Sequence, residues 1–226
     1  TQRATFGERM ELDFAWSVPE LDRFRCNVYR QRGTVSFTAR HIVDRIPGFE
    51  LLGLPDFLRE IALKKQGLVL LVGPTGHGKS TTLASVVDFI NASRHANVIS
   101  IEDPIEYVHQ HRGCNVNQRE VGTDTRSFAD GLRHVFRQAP DVMVIGEMRD
   151  LESVSIALTA AETGHLVLAT LHAPSATGAI DRIVDLYPAA QQAQVRAQLA
   201  DTLLLVFSQR LVKRAQGPGR ALAGEI

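Results

Sequence analysis

Cysteine is almost missing from this sequence: Cys26 and Cys114 are the two among 226 residues, and neither stands in a CxxC pair. That excludes a disulfide framework, a paired-cysteine zinc site and a dithiol redox centre, and it fits a reducing cytoplasm. Charge of one sign is also lacking. Twenty-five Lys and Arg balance 25 Asp and Glu, so there is no broad electrostatic footprint for DNA or for an anionic membrane. Aromatics make up only 6% of the chain, little material for stacking the bases of a nucleic-acid strand. No apolar run approaches the ~20 residues that cross a bilayer, and the N-terminus shows no signal-peptide pattern, so direct membrane insertion is not expected. Opening on Thr1 rather than methionine, the chain reads as part of a longer protein.

What is present is an ordinary globular composition, 44% hydrophobic and 22% charged, enough to bury a sizeable core. Residues 1–46 carry two β-rich runs, RFRCNVYR and TVSFTARHI, which are too short to form a stable core alone. The stretch IPGFELLGLP, with two prolines and two glycines, reads as a connector, with 47–54 as the linker itself. From residue 55 to 226 the pattern changes to strands alternating with helices. LVLLV (68–72), VISI (98–101), VMVI (142–145) and LVLAT (166–170) are continuous apolar runs, as in strands covered on both faces. Leu83, Val86, Val87 and Ile90 share a helical face, as do Phe128, Leu132, Val135 and Phe136, and again Leu151, Val154, Leu158 and Ala161. Asp150 is placed to cap that last helix and Gly164 to stop it. Such alternation predicts an α/β fold with a mostly parallel sheet.

The first strand run leads into GPTGHGKST, which matches the phosphate-loop pattern GxxxxGK(S/T). Roughly 0.002 chance matches are expected in a chain of this length and composition, so coincidence is a poor explanation. Gly73, Gly76 and Gly78 let the backbone bend until its N–H groups point inward at phosphate oxygens, and Pro74, Thr75, His77 and Thr81 complete the loop. Lys79 reaches the β and γ phosphates, and the Ser80 hydroxyl is a ligand for Mg2+. ATP with Mg2+ is therefore the expected cofactor. His77 is unusual in such a loop; because the loop works through main-chain groups, its side chain is expected to point to solvent.

Ligands of open parallel sheets bind beyond the carboxyl ends of the strands, which draws attention to the acids placed there. Glu102 and Asp103 follow VISI; Glu147 and Asp150 follow VMVI. Phosphoryl transfer to water needs a metal held through oxygen and an acceptor that orients the water, and Glu102 and Glu147 can divide those tasks, Glu147 meeting the metal through water. Spacing leaves open which of them is the base. Asp103 and Asp150 read as an ordinary loop acid and a helix cap.

Five motifs, GPTGHGKSTTLA, IEDPIEYVH, VNQREVGTDT, VIGEMRDLES and AETGHLVLATLHAPSA, together resemble those of the secretion and type IV pilus ATPases, in particular the pilus retraction ATPases called PilT. The likeness spans about residues 20–226. It implies a RecA-like motor core behind a small, partial, PAS-like β-rich segment, working as a homohexamer. It also implies an inner-membrane pilus or secretion platform protein as partner, a cytoplasmic location peripheral to the inner membrane, and no nucleic acid. His172, after the LVLAT strand, falls in the family's histidine box and is expected near the γ-phosphate; His165, before that strand, is expected to face away. Arg25, Arg32 and Arg40 look like the family's arginines that reach the nucleotide of an adjoining subunit, Arg25 and Arg32 ahead of Arg40. Relatives that extend pili or secrete carry CxxC pairs after QRLV, where this chain reads RAQGPGR, which tilts the reading toward retraction. Specialised type IV secretion motors lack those cysteines too. A nucleic-acid translocase on the same core, or a nucleotide switch without turnover, are the readings from other classes.

Overall fold

The computed structural model describes all residues except 1, 19–21, 43 and 44, and no side chain at 22 or 23. The chain divides into two compact units, Thr1–Ile46 with Pro104–Val108, and Pro47–Asp103 with His109–Ile226.

The first unit begins with helix α1 (Gln2–Arg9) and continues as three strands, β1 (Glu11–Val18), β2 (Asp22–Gln31) and β3 (Thr34–Ile42), in an antiparallel sheet of that order. β2 and β3 are joined through Arg32 and Gly33, both with positive φ (48° and 78°). Two left-handed residues in a two-residue turn give a twist that matches the flanking strands. The register then sets Arg25 directly opposite Arg40.

The second unit runs α2 (Phe49–Leu52), α3 (Phe57–Ala62), β4 (Gly67–Val72), α4 (Lys79–Ser93), β5 (Asn97–Glu102), β6 (Asn115–Glu120), α5 (Phe128–Val135), a 3-10 turn (Phe136–Gln138), β7 (Val142–Ile145), α6 (Leu151–Glu162), β8 (Leu166–Leu171), α7 (Ala176–Asp185), α8 (Ala189–Thr202), β9 (Leu203–Lys213) and β10 (Arg220–Glu225). Its seven-stranded sheet has the order β10-β9-β4-β8-β7-β5-β6. Every pairing is parallel except β9 with β10. The expected α/β class holds, with the β-rich segment forming the separate three-stranded sheet.

Continuous apolar strands follow from coverage on both faces. Leu68, Leu70 and Val72 of β4, with Ile99, Met143 and Val167, pack under α5 to α8. The intervening Val69 and Leu71, with Val98, Val144 and Leu168, pack under α2 to α4. Period-two alternation therefore feeds two cores from one strand. Phe49 and Leu54, from the stretch read as a connector, join the second of these cores. Two helical faces are shorter than their spacing suggests: Phe136 leaves α5 for the 3-10 turn and is 36% exposed, and Leu151, in the first turn of α6, is 38% exposed. Asp150 caps α6 as expected, its carboxylate accepting from Ser153 N–H at 2.8 Å, and Gly164 just past the helix takes φ 102°.

Candidate active site

The phosphate loop connects the buried end of β4 to α4, which begins at Lys79, so Ser80 and Thr81 lie in the first turn of that helix. Gly73, Gly76 and Gly78 have φ of 140°, 76° and 85°, a conformation that side-chain-bearing residues rarely adopt. Lys79 is 8% exposed. Its ammonium is turned back onto the loop, donating to Gly73 O at 2.9 Å and Pro74 O at 3.0 Å.

From that ammonium an ordered chain of side chains leads across the strand ends. Lys79 Nζ lies 3.4 Å from His172 Nδ1, and an ammonium can only donate, so Nδ1 is the bare nitrogen of a neutral ring. Nε2 then carries the proton and donates to Glu147 Oε1 at 3.0 Å. The other Glu147 oxygen accepts from Arg149 at 2.6 Å, and Arg149 faces Asp103 at 3.8 Å. The hydrogen bond and charge of Glu147, with Asp103 beyond, raise the Arg149 pKa above its ordinary value. Lys79, His172, Glu147, Arg149 and Asp103 thus alternate charge around one imidazole.

Glu102 lies on the neighbouring strand end. Its Oε1 accepts from Ser100 Oγ at 2.6 Å and from Gln118 Nε2 at 3.0 Å. Gly146 brings the two glutamate-bearing ends together, since a Cβ there would stand 3.1 Å from the Glu102 Cα. The Thr170 hydroxyl donates to Gly146 O at 2.5 Å and Met148 N–H donates to Thr170 O at 2.9 Å, which fixes the turn carrying Glu147 against β8.

Other residues singled out in the sequence fall elsewhere. His165 sits at the far end of β8, its Nδ1–H donating to Ala160 O at 3.0 Å and its ring edge against Phe136; it ties off α6. His77 does not point to solvent. Its Nδ1 accepts from Leu211 N–H at 3.0 Å, a bond to a strand that the sequence pattern did not reveal. In the first unit Arg25 and Arg40 share a face of the antiparallel sheet, while Arg32 is at the turn, seven residues from Arg25 and roughly 20 Å along the ladder. Gln209 and Arg220 are functional candidates that sequence reading passed over; both contact the loop, and the cues were the short QRLV segment that begins at Gln209 and the RAQGPGR run that ends at Arg220.

A family model described as type II/IV secretion system protein matches residues 48–221. The chain belongs to that family. Over 225 residues it is 47% identical to the type IV pilus retraction ATPase PilT of Pseudomonas aeruginosa, a match covering 100% of this chain and 65% of that protein. A crystal structure of the pilus retraction motor PilT with bound ADP aligns with a TM-score of 0.96 at 52% identity, covering 99% of this chain and 65% of that one. The X-ray structure of the Legionella pneumophila ATPase DotB aligns at 0.85 with 29% identity, covering 99% and 64%. This member of the type II/IV secretion system family therefore spans slightly under two thirds of the length of these relatives.

Proposed function

We propose that the chain is the motor core of a pilus retraction ATPase, which binds ATP with Mg2+ at the phosphate loop and hydrolyses it to ADP and phosphate. The observation that carries this reading is the placement of the Lys79 ammonium on the loop carbonyls, one imidazole away from Glu147. The two structural relatives described by name, one with bound ADP and one an ATPase, support it.

ATP would take the ammonium from Gly73 O and Pro74 O onto its β and γ phosphates, since phosphate oxygens carry far more charge than carbonyls. His172 then loses its donor at Nδ1 and its contact with Glu147 can rearrange. Glu147 and Glu102 divide the remaining work, one accepting a proton from the attacking water and the other holding ordered water. The oxygen donors present, Ser80 Oγ and the two carboxylates, suit a hard ion that keeps most of its own water, as magnesium does. Bound there, the ion neutralises charge developing on the phosphates.

The protein works as a homohexamer in this reading, with Arg25 and Arg40, or Arg32 at the hairpin turn, presented to the nucleotide of an adjoining copy. A guanidinium so placed accelerates phosphoryl transfer by ~10³ to 10⁵. Closure around ATP and release after hydrolysis would supply the stroke to a platform protein at the cytoplasmic face of the inner membrane. Among the described residues no helix is long and apolar enough to cross a membrane.

The match of residues 48–221 to the type II/IV secretion system family makes a secretion motor the second reading. Deleting the gene in a piliated host separates the two: surplus filaments that fail to retract support the proposal, bald cells indicate an assembly motor, and unchanged pili indicate secretion. Either of the last two results overturns retraction.

A further inference from the structure

β4 ends at Val72, which pairs with Ser208 of β9. β9 does not stop there. Residues 209–213 run on past the edge of β4, held by antiparallel pairing with residues 220–224 of β10. This overhang lies along the phosphate loop and donates three hydrogen bonds to it with its β10 partner. Gln209 Nε2 donates to His77 O at 2.8 Å, Leu211 N–H to the His77 ring Nδ1 at 3.0 Å, and the Arg220 guanidinium to Gly76 O at 3.1 Å. Glycine permits the close approach: a Cβ at position 73 would stand 2.3 Å from Gln209 O.

The chemistry of these contacts is directional. A main-chain N–H can only donate, so the contact to Leu211 requires Nδ1 of His77 to be bare and its ring neutral. Gln209 is 1% exposed, and its Oε1 has no hydrogen-bond partner among the described residues. Turning the amide over would set Oε1 against His77 O, acceptor against acceptor, so the orientation is fixed by the loop. Leaving a buried acceptor unmet is unfavourable, and holding the N–H donor on His77 O is the use this fold makes of it.

We propose that His77 and Gln209 are positioning residues, which fasten the phosphate loop to the β9 overhang so that its N–H groups already face the phosphate site before nucleotide arrives. The proposal rests on nucleotide binding at that loop, as put forward above. Preorganisation of this kind strengthens ground-state and transition-state binding alike, so it acts on KM and on ADP affinity and leaves kcat nearly untouched. The side chain of His77, unusual in such a loop, is in this view the tether itself.

The test is calorimetric titration of the whole chain with ADP, alongside steady-state phosphate release. His77→Leu removes the acceptor and should weaken ADP binding and raise KM about tenfold, with kcat changed less than threefold. His77→Asn, whose Oδ1 stands about where Nδ1 does, should recover most of that loss. Gln209→Met keeps the volume, removes the donor, and should behave as His77→Leu; if it does not fold, the His77 pair decides alone, because that residue is partly exposed on a loop. Equal ADP affinity in wild type and His77→Leu, no recovery in His77→Asn, or a fall in kcat at unchanged KM each overturns the tether. Failure of the wild-type chain to bind ADP overturns instead the nucleotide site on which it rests.

Discussion

His172 and Glu147 are joined at 3.0 Å through Nε2 and Oε1, although one follows β8 and the other β7. Because the second ring nitrogen of His172 faces Lys79, the imidazole is a neutral bridge between a cation and a carboxylate. A change at either end must be felt at the other: withdrawing the ammonium toward a phosphate leaves Nδ1 without its donor. That gives His172 a physical route for reporting occupancy of the loop to Glu147, through one ring.

Substitution along this bridge should separate binding from chemistry. Lys79→Ala removes the cation that meets the phosphates and should abolish both ADP binding and turnover. Glu147→Gln keeps the shape and a hydrogen-bonding group opposite His172, so nucleotide should still bind, while phosphate release should fall by about 10² to 10⁴ if Glu147 is the base. Glu102→Gln, assayed beside it, shows which glutamate carries the proton transfer, the larger loss in kcat marking the base. Near-normal phosphate release in Lys79→Ala or in both glutamine variants rules out the proposed chemistry.

Arg25 and Arg40 face one another on adjacent strands, an arrangement of like charges that is unfavourable without an anion between or above them. If that anion is the nucleotide of a neighbouring copy, two inactive variants should complement. Mixed rings of Lys79→Ala and Arg25→Ala subunits should regain measurable ATPase activity, since some interfaces then combine an intact loop with an intact arginine. No recovery, with mixed assembly verified by mass, argues against a site shared between copies.

His109 makes stability depend on pH. Burial pushes its imidazole down to about 4 from the ordinary 6.5, with Arg112 adding to the effect and Asp88 opposing it, and its Nδ1 has no hydrogen-bond partner among the described residues. Between those two values the unfolded chain takes up a proton that the folded chain refuses, so stability is full above pH 6.5 and declines as pH falls to about 4. The loss attributable to this group reaches at most about 3 kcal/mol. Thermal midpoints measured from pH 7 to 4.5 should fall more steeply for the wild type than for His109→Gln; parallel curves would refute the assignment.

Much of the architecture was legible because the signals are local. The apolar runs at 68–72, 98–101, 142–145 and 166–170 became β4, β5, β7 and β8, and the helix face of Leu83, Val86, Val87 and Ile90 became the buried side of α4. The strand β6, NVNQRE, was hidden because an edge strand with polar positions lacks the fully buried signature. β9 and β10 were hidden for a related reason, about half of β9 and all of β10 being exposed or only partly covered. Phe136 and Leu151 matched a helical period but lay at helix ends, where the chain leaves the ideal spiral.

By itself the sequence determined the phosphate loop, the strand that feeds it, the helix that leaves it and the acids at the strand ends. All of these depend on residues within a few positions of one another, where backbone geometry and side-chain period are set by immediate neighbours. Only the tertiary structure decided that His172 bridges Lys79 to Glu147 and that His77 turns inward to a strand 134 residues away. A hydrogen bond needs a donor and an acceptor within about 3 Å and in line. Which distant groups meet that condition is settled by how the strands order themselves in the sheet, and no local pattern encodes it.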